Sequence, residues 1–132
     1  MDFEKSYVVP AKPADVYAAW VSSDTVIAPA KRMFVEPVIG GAYQLFMTGT
    51  SAEPDCEGRF AEVRPRELLR CSWQWSGDPE KTEITVTFHD DGSGTKLTVR
   101  HLGFETQESF QNHAAGWDSY VAGLTDLLHQ NP

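Results

Sequence analysis

Two histidines occupy positions from which an imidazole could act on a bound molecule. His101 follows Leu97 and Val99 at a spacing of two, which predicts that it shares the apolar face of a strand. His113 lies about 40° from Trp117 on a helix that turns about 100° per residue, so it is expected to face the same interior. Such a pair could orient a ligand or exchange a proton near neutral pH.

The alternative is that each histidine is a core residue whose ring nitrogens bond to backbone or tyrosine groups. The sequence leaves both interpretations open. His101 and His113 are therefore candidates for catalysis as well as for ligand binding, and no other catalytic candidate is found.

Aromatic residues at inward-facing positions predict a cavity lined by rings, with simple core packing as the alternative. Indole and aliphatic groups would supply apolar contact, whereas the histidines and tyrosines would serve as polar handles. The expected ligand-binding set is Trp20, Tyr43, Leu45, Met47, Trp73, Trp75, Val86, Phe88, Val99, His101, His113, Trp117 and Tyr120.

Other chemistries lack their sequence signatures. No nucleophile elbow is present, and Gly92-Ser93-Gly94 is too short for a phosphate-binding loop. No cysteine or histidine pair has zinc-ligand spacing, so neither a metal nor a cofactor is expected. We interpret several acids as solvated turn residues: Asp78, Glu80, Asp90 and Asp91.

The long segment from Thr106 to His129 is predicted to be an amphipathic helix that positions His113 and Trp117. Its apolar residues fall within about 60° of Trp117: Phe110, Ala114, Val121, Leu124 and Leu128. A single long helix that follows hairpins must bury this stripe against a sheet. Gly116 and Gly123 indicate a close approach by another element or by a partner, and the sequence does not choose between them.

The N-terminal third combines a strand with two short helices. Phe3 to Val9 is predicted to be a strand. Pro13 suits the first position of a helix that continues to Val21. Ser23 or Asp24 is expected to cap a second helix, which Pro29 limits.

From Met33 onward apolar and polar residues alternate, which predicts three antiparallel hairpins whose sheet has one solvent-exposed face. Gly40-Gly41 suits the first hairpin turn, and Thr50 to Asp55 is expected to be a loop. The predicted strands are 33–38, 42–48, 57–64, 68–75, 82–89 and 95–102. Strand, two helices, six strands and a long helix give an α+β fold.

Composition limits the partners. The 132 residues are expected to form one domain, 1–132, and the formal net charge of −8 argues against nucleic acid and anionic membranes. With no signal-peptide or membrane-spanning run, the expected location is cytoplasmic. A homodimer is left open, since nothing in the sequence specifies an interface.

The two cysteines are expected to be free thiols. A hairpin centred near residue 66 would set Cys71 opposite Ala61 and leave Cys56 roughly 16 Å further along. Bridged cysteines need Cα atoms within about 7 Å of each other.

Several short motifs together carry a resemblance to a known family. They are 13–20 (PADVYAAW), 40–43 (GGAY), Gly58 with 62–65 (EVRP), 94–99 (GTKLTV), Gly103-Phe104, and His113 with Gly116-Trp117. In this order and spacing the chain resembles the START-like helix-grip (SRPBCC) superfamily, and within it the domain found at the C-terminus of the heat-shock protein 90 ATPase activator.

The resemblance implies a curved seven-stranded antiparallel sheet wrapped around the last helix over a hydrophobic cavity. Members bind small apolar molecules, and some relatives are cyclases or dehydratases. Family members often carry a Trp within the segment 27–31, which here has none. The activator's separate N-terminal domain is expected to have no counterpart here, so the family name does not imply a co-chaperone role.

Three functions follow as hypotheses. The preferred one is binding of a small hydrophobic or aromatic molecule between the sheet and the last helix. The second is a cyclase or dehydratase that uses His101 or His113 as acid or base, for which no inward carboxylate is evident. The third is a co-chaperone-like protein-interaction module, which exposed apolar surface at Phe34, Phe104 or Phe110 would favour.

Overall fold

Seven antiparallel strands form one sheet, and a long C-terminal helix lies across it. The computed structural model describes residues 1–23, 26–48, 50 and 52–130. In chain order the elements are β1 (Phe3–Val9), α1 (Pro13–Trp20), β2 (Arg32–Val35), β3 (Ala42–Phe46), β4 (Cys56–Arg64), β5 (Leu68–Trp75), β6 (Thr82–Asp90), β7 (Thr95–Leu102) and α2 (Gln107–Gln130). The strand order is β1-β7-β6-β5-β4-β3-β2. The predicted α+β, helix-grip architecture is confirmed.

Helix α1 begins where the proline predicts. Lys12 makes no side-chain cap, so Pro13 and the favourable charge of Asp15 set the start. The buried face of the helix consists of Val16, Ala19 and Trp20.

The second predicted short helix is not seen where the structure describes the chain. Asp24 and Thr25, which would begin it, lie outside the described residues. From 26 to 30 the chain makes a turn, because Ala30 N–H bonds to Ile27 O at 3.1 Å and Ile27 N–H reaches Met33 Sδ at 3.3 Å. These bonds replace the i to i−4 pattern that a helix requires.

Strands β2 and β3 are shorter than their predicted ranges, 33–38 and 42–48. Glu36 ends the ladder, because Ala42 N–H donates to the Glu36 carboxylate at 3.1 Å instead of to the Glu36 carbonyl oxygen, which accepts from Val38 N–H at 2.8 Å. Gly40 has a φ of +83°, and a methyl group at Gly41 would collide with Glu36 O. Both glycines of the predicted turn are therefore required by its geometry.

A bulge in the β4–β5 hairpin changes the predicted register by one residue. Phe60, not Ala61, pairs with Cys71, and the register shifts between Phe60 and Glu62. Cys56 pairs with Trp75, and both cysteines are buried free thiols, as expected. Burial raises the pKa of the Cys71 thiol to about 12.

Helix α2 is held at its middle and towards its C-terminal end. Trp117 stacks on Trp20 with centroids 6.0 Å apart, and Leu124 is fully buried. Asp118 accepts hydrogen bonds from Lys5 at 2.9 Å and from Tyr7 at 2.8 Å, which ties the helix to the edge strand β1.

The two glycines of α2 have different surroundings. A methyl group at Gly123 would collide with the carbonyl oxygen of Ala28, so the turn at 26–30 approaches the helix there. A methyl group at Gly116 would have nothing within 4 Å. The close approach that the sequence left unassigned therefore belongs to Gly123 alone.

Candidate functional site

A pocket of about 600 Å³ opens between α2 and the sheet. Its wall combines rings and aliphatic side chains from β3, β5 and α2 with a polar rim. The lining residues are Pro29, Tyr43, Leu45, Met47, Trp73, Trp75, Asp78, Thr106, Glu108, Ser109, Asn112, His113, Gly116, Trp117 and Tyr120.

Eight of the residues expected from the sequence lie on this wall: Tyr43, Leu45, Met47, Trp73, Trp75, His113, Trp117 and Tyr120. The structure does not bring the other five to it: Trp20, Val86, Phe88, Val99 and His101. These five are buried behind the wall, where Trp20 stacks on Trp117 and Phe88 packs edge-on against Trp20. Alternation of apolar residues predicts the direction of a side chain but not which ring covers it.

The rim contains residues that sequence reasoning missed. On α2 they are Glu108, Ser109, Asn112 and Gly116, of which the last three share a stripe with His113 at spacings of three and four. That periodicity could have identified them. Pro29 and Asp78 lie in turns, and no pattern in the sequence points to either.

His101 is a satisfied core histidine. Its exposed fraction is 0%, Trp117 Nε1–H donates to its Nδ1 at 3.0 Å, and its Nε2 lies 2.6 Å from Thr82 Oγ1. Since Nδ1 accepts, Nε2 carries the proton and donates to Thr82, whose hydroxyl donates to Trp73 O at 3.2 Å. Burial, and then the nearby His113, lowers the pKa of His101 to about 3.

His113 repeats the same arrangement at the pocket wall. Trp75 Nε1–H donates to His113 Nε2 at 2.8 Å, and His113 Nδ1–H donates to the Ser109 carbonyl oxygen at 2.8 Å. Both imidazoles therefore use their basic nitrogen to accept an indole N–H. Neither has a free lone pair with which to take a proton from a ligand.

Two phenols meet at the buried end of the pocket. The hydroxyls of Tyr43 and Tyr120 are 2.7 Å apart, and Tyr120 Oη lies 3.9 Å from Met33 Sδ. The arrangement that uses both protons has Tyr43 donating to Tyr120 and Tyr120 donating to the sulfur. Burial raises the pKa of both tyrosines, so they remain neutral.

Of the turn acids expected to be solvated, Asp78, Asp90 and Asp91 are exposed, and Glu80 alone among the four is half-buried. Asp78 and Glu108 lie on the pocket wall. Glu80 is half-buried at the N-terminus of α2, where its carboxylate accepts from Glu105 N–H at 2.8 Å and from Ser109 Oγ–H at 2.6 Å. This carboxylate occupies the positive end of the helix dipole.

Comparison with known proteins identifies the family. A sequence model described as "Activator of Hsp90 ATPase homolog 1-like protein" matches residues 10–129. The chain belongs to this family. No curated protein matches the sequence.

Solved structures share the family fold at low identity. A Mesorhizobium loti protein superposes with a TM-score of 0.85 at 16% identity, over 100% of this chain and 99% of its own. An HSP90 activator from Plasmodium falciparum superposes at 0.83 and 18%, over 98% and 96%. DynU16, a protein of the dynemicin biosynthetic locus, superposes at 0.82 and 19%, over 97% of this chain and 47% of its own.

Two further observations concern partners of this family member. Within the described ranges, no helix is long and apolar enough to cross a bilayer, and no group of three or more His, Cys, Asp or Glu residues could hold a metal ion. Of the phenylalanines considered for a protein interface, Phe34 is exposed, Phe110 is half-buried and Phe104 is buried.

Proposed function

We propose that this protein binds a small hydrophobic or aromatic molecule in the pocket beneath α2. The observation that carries the proposal is the pocket itself, whose volume of about 600 Å³ falls within the range of small-molecule sites. Apolar burial against the indoles of Trp73, Trp75 and Trp117 would supply most of the affinity.

The relatives are compatible with this role. DynU16, a protein of the dynemicin biosynthetic locus, has the same fold. Gly116 also supports a ligand-binding role, because the helix leaves space at this position where any other residue would place a side chain.

The two alternative functions have less support. A cyclase or dehydratase that uses His101 or His113 would need a free imidazole nitrogen, and both histidines are engaged by indoles. A protein-interaction role is suggested by the Plasmodium falciparum activator, yet only Phe34 among the three candidate phenylalanines is exposed. Cytoplasmic location and a single domain stay predictions, and a homodimer is left open.

We expect Gly116→Leu to weaken ligand binding by about tenfold or more. The new side chain would project from the pocket wall into open space, where it occupies volume that a ligand needs and removes apolar contact area. Retained or added compounds can be measured by native mass spectrometry after incubation with a metabolite extract, and by calorimetry with the compound so identified.

Ala115→Leu is the matched control, since it adds the same side chain to a neighbouring exposed position of α2 that does not line the pocket. Its binding should equal that of the parent protein. Equal affinity in Gly116→Leu and Ala115→Leu, or the absence of any bound compound in the parent protein, would contradict the proposed site.

A further inference from the structure

Several hydrogen-bond donors around the pocket are already used within the protein. The indole N–H groups of Trp75 and Trp117 are donated to His113 and His101 at 2.8 and 3.0 Å. The Ser109 hydroxyl donates to Glu80 at 2.6 Å. A ligand that approaches Trp75 and Trp117 therefore meets ring faces, while the Trp73 indole N–H and the Asn112 amide make no hydrogen bond to other described residues.

The buried phenols offer oxygen lone pairs to a ligand. With Tyr43 donating to Tyr120 and Tyr120 donating to Met33 Sδ, both protons are engaged, and each oxygen keeps acceptor capacity. A ligand N–H or O–H at this depth could be satisfied by these oxygens, whereas a carboxylate would find only the Trp73 indole N–H as a donor with no described partner.

The charged side chains of the pocket wall also favour a ligand that donates hydrogen bonds or carries a positive charge. Among the described residues that line the pocket, the charged side chains are Asp78 and Glu108, and none is Lys or Arg. The N-terminus of α2, which would otherwise attract an anion, is already occupied by the Glu80 carboxylate. The chain as a whole carries a formal charge of −8.

We propose that the pocket selects an apolar molecule that carries a protonated amine and rejects its carboxylate counterpart. This inference rests on the ligand-binding function proposed above. The apolar body would lie against Trp73, Trp75 and Trp117, while the ammonium group would lie near Asp78 and Glu108. Indole faces also attract a cation directly, which adds to the preference.

Three probes with the same ring system test the inference: 1-naphthylmethylamine, 1-naphthalenemethanol and 1-naphthoic acid. Calorimetry at pH 7 should give the amine about tenfold higher affinity than the acid, with the alcohol between them, as expected for two partly solvated carboxylates. The ratio of amine to acid affinity should fall towards one at high salt, because these charges are exposed and screened.

The double variant Asp78→Asn, Glu108→Gln should lower the amine-to-acid ratio about fivefold, since it removes both charges and keeps oxygen acceptors of the same shape. Asp90→Asn, Asp91→Asn is the matched control. It removes the same charge from the turn at the far end of β6, roughly 26 Å from the end next to the pocket, and should leave the ratio unchanged.

The outcomes separate the two proposals. If the alcohol binds and the acid binds as tightly as the amine, the charge preference is wrong while the binding function stands. If the ratio is unaffected by the Asp78 and Glu108 changes, the preference does not arise at this rim and the inference is overturned. If none of the three probes binds, the proposed function is overturned together with the inference.

Discussion

Lowering the pH from 7 to 4 is expected to cost this protein about 3 kcal/mol of stability through His101 alone. The pKa of this imidazole is lowered to about 3 by burial, first of all, and by His113. The unfolded chain, with an ordinary histidine, therefore binds the proton more readily than the folded one. Stability is full above pH 6.5 and is lost progressively as the pH falls towards 3.

The geometry explains why the folded protein resists protonation. A second proton would have to enter at Nδ1, which already accepts the indole N–H of Trp117 at 3.0 Å. Protonation would set two donors against each other in a site whose exposed fraction is 0%.

Urea unfolding at a series of pH values measures the effect. The variant His101→Gln, which can still accept from Trp117 and donate to Thr82, should show a pH dependence flatter by about the same 3 kcal/mol. His89→Gln removes an exposed histidine from β6 and should leave the dependence unchanged.

A direct measurement on the parent protein is available from nitrogen NMR of the imidazole. The ring should remain in the tautomer with the proton on Nε2 down to pH 5. Titration of His101 near pH 6.5 would contradict the assignment, whatever the variants do.

Alanine at the two glycines of α2 is expected to change stability in opposite directions. Gly123→Ala should destabilise the protein by about 2 kcal/mol, because the methyl group meets the backbone carbonyl of Ala28, which cannot rotate away. Gly116→Ala should stabilise it by up to about 1 kcal/mol, since it gains helix propensity and meets nothing.

Each variant is the control for the other, because the chemical change, the helix and the gain in propensity are the same. Thermal and urea unfolding of both proteins would give the sign and the size. A stabilised Gly123→Ala would mean that α2 does not rest on the turn at 26–30, and the position of the helix over the pocket would need revision.

The sequence predicts the framework well because the framework follows local periodicity. Strands β1, β5 and β7 have the bounds that alternation indicates, and α2 differs from its prediction by one residue at each end. The errors lie where a single contact determines the end of a strand or the register between two strands. Glu36 ends β2 early, and the bulge after Phe60 shifts the register of one hairpin.

The sequence predicts which side chains of the site face inward, but not which of them reach the pocket and which are covered by other rings. Strand parity places His101 inward, as found, yet it does not reveal that Trp117 covers this ring while His113 reaches the pocket. The pairing of two imidazoles with two indoles joins positions 16 and 38 residues apart, so no local pattern contains it. The place of Asp78 on the pocket wall was not predicted either, since a turn has no repeating pattern of apolar residues from which a side-chain direction could be inferred.

The two buried thiols allow the opening of the middle of the sheet to be measured by chemical modification. Cys56 and Cys71 lie on adjacent strands, and the raised pKa of each keeps the sulfur protonated as well as covered. Alkylation needs a solvated thiolate, so a reagent reaches these atoms only when β4 and β5 part from their surroundings. The molecule thus contains its own reporter of how often its centre opens, with no introduced label.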